Sequence, residues 1–193
     1  METSAEERII HATISCIEAE GLERATIRKI AETAGVNSAA INYYFRSKEA
    51  LLETALNRSL ENAFDWEDFA ASQDASAEER LSHIMAQLMA GARTYPNLSR
   101  AHLDDRPRAR KVRRTALASL EQFLTTLEQD LLRRDTTVER SRVRSTILQA
   151  FNATVVALVF MPELFEQYAG IDVEDEEARL EYVRSLVYPL WRK

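Results

Sequence analysis

The chain has 193 residues, 46% of them hydrophobic and 29% charged, with 4 Gly, 4 Pro and a single Cys. So few breakers over that length argue against a turn-rich sheet protein and for long helices, and the lone Cys16 excludes an internal disulfide and fits a reducing compartment. A net charge of −6 argues against a uniformly basic surface, the usual footprint of phosphate binding.

In chain order, Met1 is followed by Glu2, Glu6 and Glu7, which is no signal peptide, and no apolar run approaches the roughly 20 residues of a membrane span. A cytoplasmic chain without membrane contact is expected. Ser4-Ala-Glu-Glu7 is a capping box opening a helix with Ile10, Ile14 and Ile17 on one face, ended by Gly21. Thr26 caps a second helix, Ile27 to Ala34. Gly35 then sits where the chain must reverse through a left-handed conformation. Ala31, four residues earlier, is small enough for a crossing helix to approach, and Ile41, six residues after the Gly, holds that helix back against the first. Small residue, Gly turn and branched apolar residue at this spacing read as a helix-turn-helix. Asn37 or Ser38 caps the third helix, which runs to about Phe45, and Ser47 starts a fourth with Leu51, Leu52, Ala55, Leu56 and Leu60 as its stripe.

A polar stretch, Ala70 to Ser76, precedes a second capping box, Ser76 to Glu79, and a helix to about Thr94. Tyr95-Pro96-Asn97 breaks it. A short helix follows over Leu98 to Leu103, then Asp104-Asp105-Arg106-Pro107 caps a long one from about Arg108 to Arg134. A third capping box, Thr136 to Glu139, opens a helix that is apolar nearly all round from Ala150 to Met161, where Pro162 stops it. Glu163 to Gly170 reads as an irregular or short helical link. Asp172 starts the last helix, which Pro189 kinks or ends before Trp191. The fold class is all-α, about nine helices: a three-helix helix-turn-helix domain over residues 1–50 and a larger helical effector-binding and dimerisation domain over residues 51–193.

The stretch GVNSAAINYYFRSKEALL, Gly35 to Leu52, resembles the amino-terminal DNA-binding domain of TetR-family transcriptional regulators, in its Gly-Val turn, Ile41, the aromatic pair before Phe45 and the Ser47-Lys48-Glu49 helix start. The resemblance covers roughly the first quarter of the chain; beyond it only helix number and length agree. It implies phosphate contacts from Thr26, Arg28 and Lys48, presentation of Asn37, Ser38, Ala39 and Ala40 at the head of the recognition helix, and Asn42, Tyr43 and Tyr44 along the groove wall. Where the family often carries Tyr, this chain has Asn42. With Ala39 and Ala40 beside it, contact with thymine methyls or readout of DNA shape takes a larger share of recognition. Residues 1–60 hold seven Lys and Arg against nine Asp and Glu, a net of −2, so DNA binding requires charge sorted by face.

Ala150, Ala153, Thr154, Ala157, Leu158 and Met161 form a small-residue stripe, read either as the chain's own core or as a dimer face. With Leu186, Leu190 and Trp191 of the last helix, it is expected to pair two copies, since a helix-turn-helix spans two half-sites one DNA turn apart. Met85, Leu88, Met89, Phe123, Leu127, Phe151 and Val155 are read either as plain core or as the lining of an effector pocket, with Asn152 and His102 as polar handles. The basic run Arg106 to Arg114 reads as a solvated face, a rim near a ligand pocket or a partner for the acidic Glu174 to Glu177. His11, His83 and His102 have no metal-ligand or triad spacing, and the chain has no phosphate-binding glycine loop. No enzyme, metal or cofactor is expected.

These readings imply a ligand-responsive homodimeric repressor on a palindromic double-stranded operator, and the family resemblance implies that its small-molecule effector shifts the spacing of the two heads. The rivals are a dimer of the same fold controlled by a protein partner, or a helical enzyme or scaffold. An apolar cavity of roughly 300 Å³ or more, open to one polar group, favours the effector version.

Overall fold

The computed structural model describes the backbone of residues 4–67, 69–103 and 110–191, and the side chains of these except 71 and 110–117. Among the described residues there are ten helices and no strand: α1 Ala5–Glu20, α2 Ile27–Ala34, α3 Ser38–Phe45, α4 Lys48–Ala63, α5 Ala77–Thr94, α6 Pro96–Leu103, α7 Arg110–Arg134, α8 Arg140–Phe160, α9 Pro162–Ala169 and α10 Glu176–Trp191. The predicted Asp104–Pro107 cap and the basic run Arg106–Arg114 lie outside the residues described in full. The chain divides into two compact units, Met1–Asn62 with Tyr95–Ser119, and Ala63–Thr94 with Leu120–Lys193. The first unit thus runs past position 50 and takes in α4 and α6.

In the first unit, Ile9, Ile17, Ile30, Ile41, Leu51 and Leu56 are fully buried in one cluster, joined by Leu98 and Ala101 of α6. Ser4 caps α1 by accepting from the Glu7 N–H at 3.1 Å, and the Glu7 carboxylate takes the Arg58 guanidinium at 3.0 Å. Thr13 buries its methyl while its hydroxyl donates to the Ile9 carbonyl at 2.7 Å. Helix α6 is fastened to α1 by polar bonds as well. The Glu18 carboxylate accepts from the Leu98 N–H at 3.0 Å and the Asn97 N–H at 3.4 Å, filling the orphan donors and meeting the positive end of the helix dipole. The Asn97 amide returns a bond to the Glu18 carbonyl at 2.7 Å.

Farther along α6, His102 Nε2 lies 2.8 Å from Ser59 Oγ. The Ser59 hydroxyl donates to the Leu56 carbonyl at 3.1 Å, so the ring is the Nε2–H tautomer, and its buried Nδ1 has no partner among the described residues. Burial lowers the His102 pKa from 6.5 to about 4, because a charged imidazolium there loses its hydration. The unfolded chain therefore binds the proton more tightly, and the stabilisation is intact above pH 6.5 and is lost as pH falls toward 4. Between pH 7 and pH 5, about 2 kcal/mol of stability should disappear. Urea melts across that range should show it, and His102→Phe should flatten the dependence. Carboxylates held below their ordinary values, such as Glu79 at about 2, act at lower pH.

In the second unit, Leu81, Ile84, Met85, Met89, Leu127 and Leu131 are among the fully buried side chains, and α10 packs on α5 and α8. Phe123 of α7 stacks on Phe64 at 4.5 Å and on Trp66 at 5.4 Å between ring centroids. Charged side chains tie the helices at set points. Arg80 of α5, 4% exposed, donates to the Phe69 carbonyl, to Ser72 Oγ at 2.8 Å and to Asp130 of α7 at 3.2 Å. Glu128 of α7, 3% exposed, receives Arg140 and Arg144 of α8. Glu79 of α5 takes Arg184 and the Tyr188 hydroxyl from α10; the Arg184 bond drives its low pKa.

Several expected boundaries shift. Thr136 does not cap α8: the helix starts at Arg140 after Glu139, because Asp135 holds the Thr137 N–H and hydroxyl at 2.9 and 2.6 Å in a turn of its own. Asp175, not Asp172, caps α10, accepting from the Ala178 N–H at 2.7 Å. Pro189 lies inside α10, which continues to Trp191. The link after Met161 is a regular helix, α9, with Pro162 in its first turn. By length and apolarity α8 is also sufficient to cross a membrane, mean hydropathy 1.5 over its window, which the reading of apolar runs did not register. Half of that window is buried inside the unit, as in the central helix of a folded core. Between Asn152 and Val156 the helix widens into a π-turn.

Candidate nucleic-acid interface

Helix α2 is fixed at both ends. Thr26 Oγ1 accepts from the Lys29 N–H at 3.4 Å, and Gly35 closes the helix at φ 64° and ψ 36°. The Val36 N–H then reaches the Ala31 carbonyl at 3.0 Å, a Schellman-type turn that only glycine makes without strain. Asn37 caps α3, its Oδ1 accepting from the Ala40 N–H at 2.8 Å. Of the eight residues of α3, only Ile41 and Phe45 are buried, at 1% and 7% exposure. An isolated helix this short is marginal in water, so these two residues, one turn apart, seat it.

Every other α3 side chain is left toward solvent. Ser38, Ala39, Asn42, Tyr43 and Tyr44 are exposed and Ala40 half-buried. Tyr43 is 80% exposed and meets Tyr44 edge to face at 5.2 Å. At that exposure Tyr43 takes no part in the core of its unit. Thr26, Arg28 and Asn37 are exposed too, and Lys48 is half-buried at the start of α4.

The electrostatics of the unit is sorted by partner. Lys29 pairs with Glu20, Arg58 with Glu7 and Glu61, and Glu18 is spent on α6. Arg24, Arg28, Arg46 and Lys48 carry no ion pair among the described residues. The unpaired cations therefore flank α2 and α3, although the segment's net charge is −2. Arg28 and Lys48 are among the residues expected at phosphates, whereas Arg24 and Arg46 are not.

The residues expected to form an effector pocket do not converge on one. Met85, Met89, Phe123, Leu127, Phe151 and Val155 are buried in the packed core of the second unit and Leu88 is half-buried. Asn152 is exposed and bonds back to the Leu148 carbonyl at 2.9 Å, and His102 belongs to the first unit with Ser59. An open, largely apolar groove of about 420 Å³ is lined by Ala153, Ala157, Met161, Leu164, Tyr168 and Tyr182, among others. Of the residues expected at a dimer face, Ala150, Thr154, Leu158 and Trp191 are buried in their own unit. Ala153, Ala157, Leu186 and Leu190 are half-buried and Met161 is exposed. Exposed Leu148 and Phe160, at 56% and 48%, mark the outer side of α8.

Residues 9–55 match the family model of bacterial regulatory proteins, tetR family. Over 87 residues the chain is 37% identical to the HTH-type transcriptional regulator BetI 1 of Chromohalobacter salexigens, covering 45% of this chain and 42% of that regulator. The match thus spans less than half of the relative's length. Two crystallised regulators share the fold along its whole length. FadR from Bacillus subtilis in complex with stearoyl-CoA aligns with a TM-score of 0.69 and 18% identity over 96% of this chain and 97% of that one. The fatty acid degradation regulator FadR from Bacillus halodurans aligns at 0.71 and 17% identity over 100% and 97%. The helix-turn-helix built above is thus similar to that of the tetR family of bacterial regulatory proteins, whose model matches residues 9–55.

Proposed function

We propose that the chain is a cytoplasmic transcriptional regulator, a homodimeric repressor that reads a palindromic DNA operator and releases it when a small molecule binds the second unit. The observation that carries this reading is α3: a helix anchored by two side chains, with an open polar and aromatic face and unpaired cations beside it, on a chain that is otherwise acidic. Such a helix supplies base-edge and backbone contacts in a major groove. Two copies are needed for two half-sites, and the outer side of α8, with Leu148, Phe160 and the flank of α10, is the face proposed for pairing. We read the chain as a regulator and not an enzyme, in keeping with the regulators it is similar to.

Control by a small molecule is favoured over control by a protein partner because of the groove beside the π-turn. Its volume falls in the range of small-molecule sites, its lining is largely apolar, and the Tyr182 hydroxyl, 3.4 Å from the Ala153 carbonyl, gives one polar point. π-turns recur at functional positions in helices.

The test is a gel-shift titration with a duplex that the protein selects from a random-sequence library. Tyr43→Ala and Lys48→Ala should each weaken binding about tenfold, ~1.4 kcal/mol. Tyr43→Ala should not change the melting temperature, since a substitution at an exposed position stays within ~0.5 kcal/mol. Unchanged binding in both variants would remove the assignment of this face.

A further inference from the structure

The step from α3 to α4 is made by one residue. Phe45 ends α3 and is buried; Ser47 caps α4, its Oγ accepting from the Ala50 N–H at 3.1 Å. Between them Arg46 turns the chain at φ 59° and ψ −32°, and the Ser47 N–H reaches back to the Phe45 carbonyl at 2.6 Å. That i to i+2 bond around a positive φ is the γ-turn that L side chains avoid, a strained conformation glycine adopts freely. The chain places glycine at its other positive-φ positions, Gly21, Gly35 and Gly170; Arg46 is the exception among the described residues.

The fold gains nothing visible from the arginine. Its side chain is exposed and has no hydrogen bond or ion pair among the described residues. Glycine there would make the same turn, leave Phe45 and Ser47 in place, and remove the clash of Cβ with the backbone. An outlier of this kind points outward, to what the side chain does beyond the fold. Nearby stand exposed Tyr43 and Tyr44 in the last turn of α3, and Lys48, two residues on, at the start of α4.

We infer that Arg46 is a positioning residue of the DNA interface, a guanidinium clamp on a phosphate diester at the C-terminal end of the recognition helix, kept at a conformational cost to the fold. The inference rests on the DNA-binding reading above and adds a contact to it. A guanidinium suits the task because its planar fork meets phosphate oxygens in pairs and its charge persists at any physiological pH. It fixes where α3 sits along the backbone without reading sequence.

The test compares Arg46→Gly and Arg46→Lys in the full-length protein, titrated over a range of salt against the duplex the wild type selects from a random library. Arg46→Gly should melt no lower than wild type, because relief of the turn outweighs the freedom glycine adds to the unfolded chain. It should bind about tenfold more weakly whatever the base sequence, with a log–log salt slope shallower by about one. Arg46→Lys should keep the wild-type slope. An Arg46→Gly protein with wild-type affinity and slope, or one that melts lower than wild type, overturns the assignment of Arg46 and leaves the DNA reading standing. A wild-type protein that selects no duplex overturns both.

Discussion

Leu148→Glu combined with Phe160→Glu should turn the protein into a monomer and lower its affinity for a two-half-site duplex by a factor of about 10² to 10⁴. Both side chains are about half exposed on the outer side of α8, so the substitutions should leave the unit's own core intact and the melting curve of the monomer close to that of the wild-type chain. The leverage comes from symmetry. In a two-fold interface each substitution occurs twice, and each loses the ~1.5–3 kcal/mol of burying an apolar side chain while setting carboxylates near one another. DNA binding then collapses because the second head no longer binds as an intramolecular event at high effective concentration. Sedimentation velocity and gel shift on the same samples check both parts. A variant that stays dimeric moves the interface elsewhere on the chain. Ala157→Arg, which the sequence pattern alone recommends, is a poorer probe, because Ala157 is half-buried and lines the apolar groove.

Ile41→Ala should cost ~2–5 kcal/mol, the range for removing a fully buried branched side chain and leaving a cavity. Ile41 is 1% exposed and, with Phe45, is one of two buried residues that seat α3. The loss should be local in its first expression: amide exchange over residues 38–45 should accelerate before the second unit melts, and DNA binding should fall in step with the fraction of seated α3. Ile41→Val should cost only ~0.5–1.5 kcal/mol and retain binding. The profile is the reverse of Tyr43→Ala, which leaves stability alone and weakens binding. An Ile41→Ala protein that is as stable as the wild type would show that α3 is held by something other than this packing.

The DNA-binding head was the most legible part of the sequence because its geometry leaves few choices. A left-handed turn demands Gly35, a close crossing demands Ala31, and an eight-residue helix needs a buried anchor such as Ile41. Local capping was readable wherever one side chain decides the matter, as at Ser4, Thr26 and Ser76. It failed at Thr136, where Asp135 draws the Thr137 N–H and hydroxyl into a turn of its own. Long-range pairing was not readable: nothing near Glu18 announces that its carboxylate caps a helix 79 residues later, which is why α6 joins the first unit.

Helix α8 departs from one straight period. A helical period carried straight through Asn152–Val156 counts 3.6 residues per turn, whereas the π-turn takes more, so residues beyond it change face. Ahead of that turn and at its start Leu148 and Asn152 are exposed and Ala150 is buried; within and beyond it Thr154 and Leu158 are buried and Phe160 is exposed. The effector pocket was illegible for a related reason. Met and Phe at helical spacing look the same lining a cavity or filling it, and here they are buried. Arg46 was passed over as one more cation because sequence shows its charge and hides its φ.

The most direct measurement is a hydroxyl-radical footprint of the full-length protein on a duplex it selects from a random library. Two protected segments related by two-fold symmetry and centred about one helical turn apart, ~34–36 Å, both weakened together by Tyr43→Ala and Lys48→Ala, are the predicted result. A single unsymmetrical footprint, or protection unaffected by both substitutions, would contradict the claim that two copies of the α3 face read one operator.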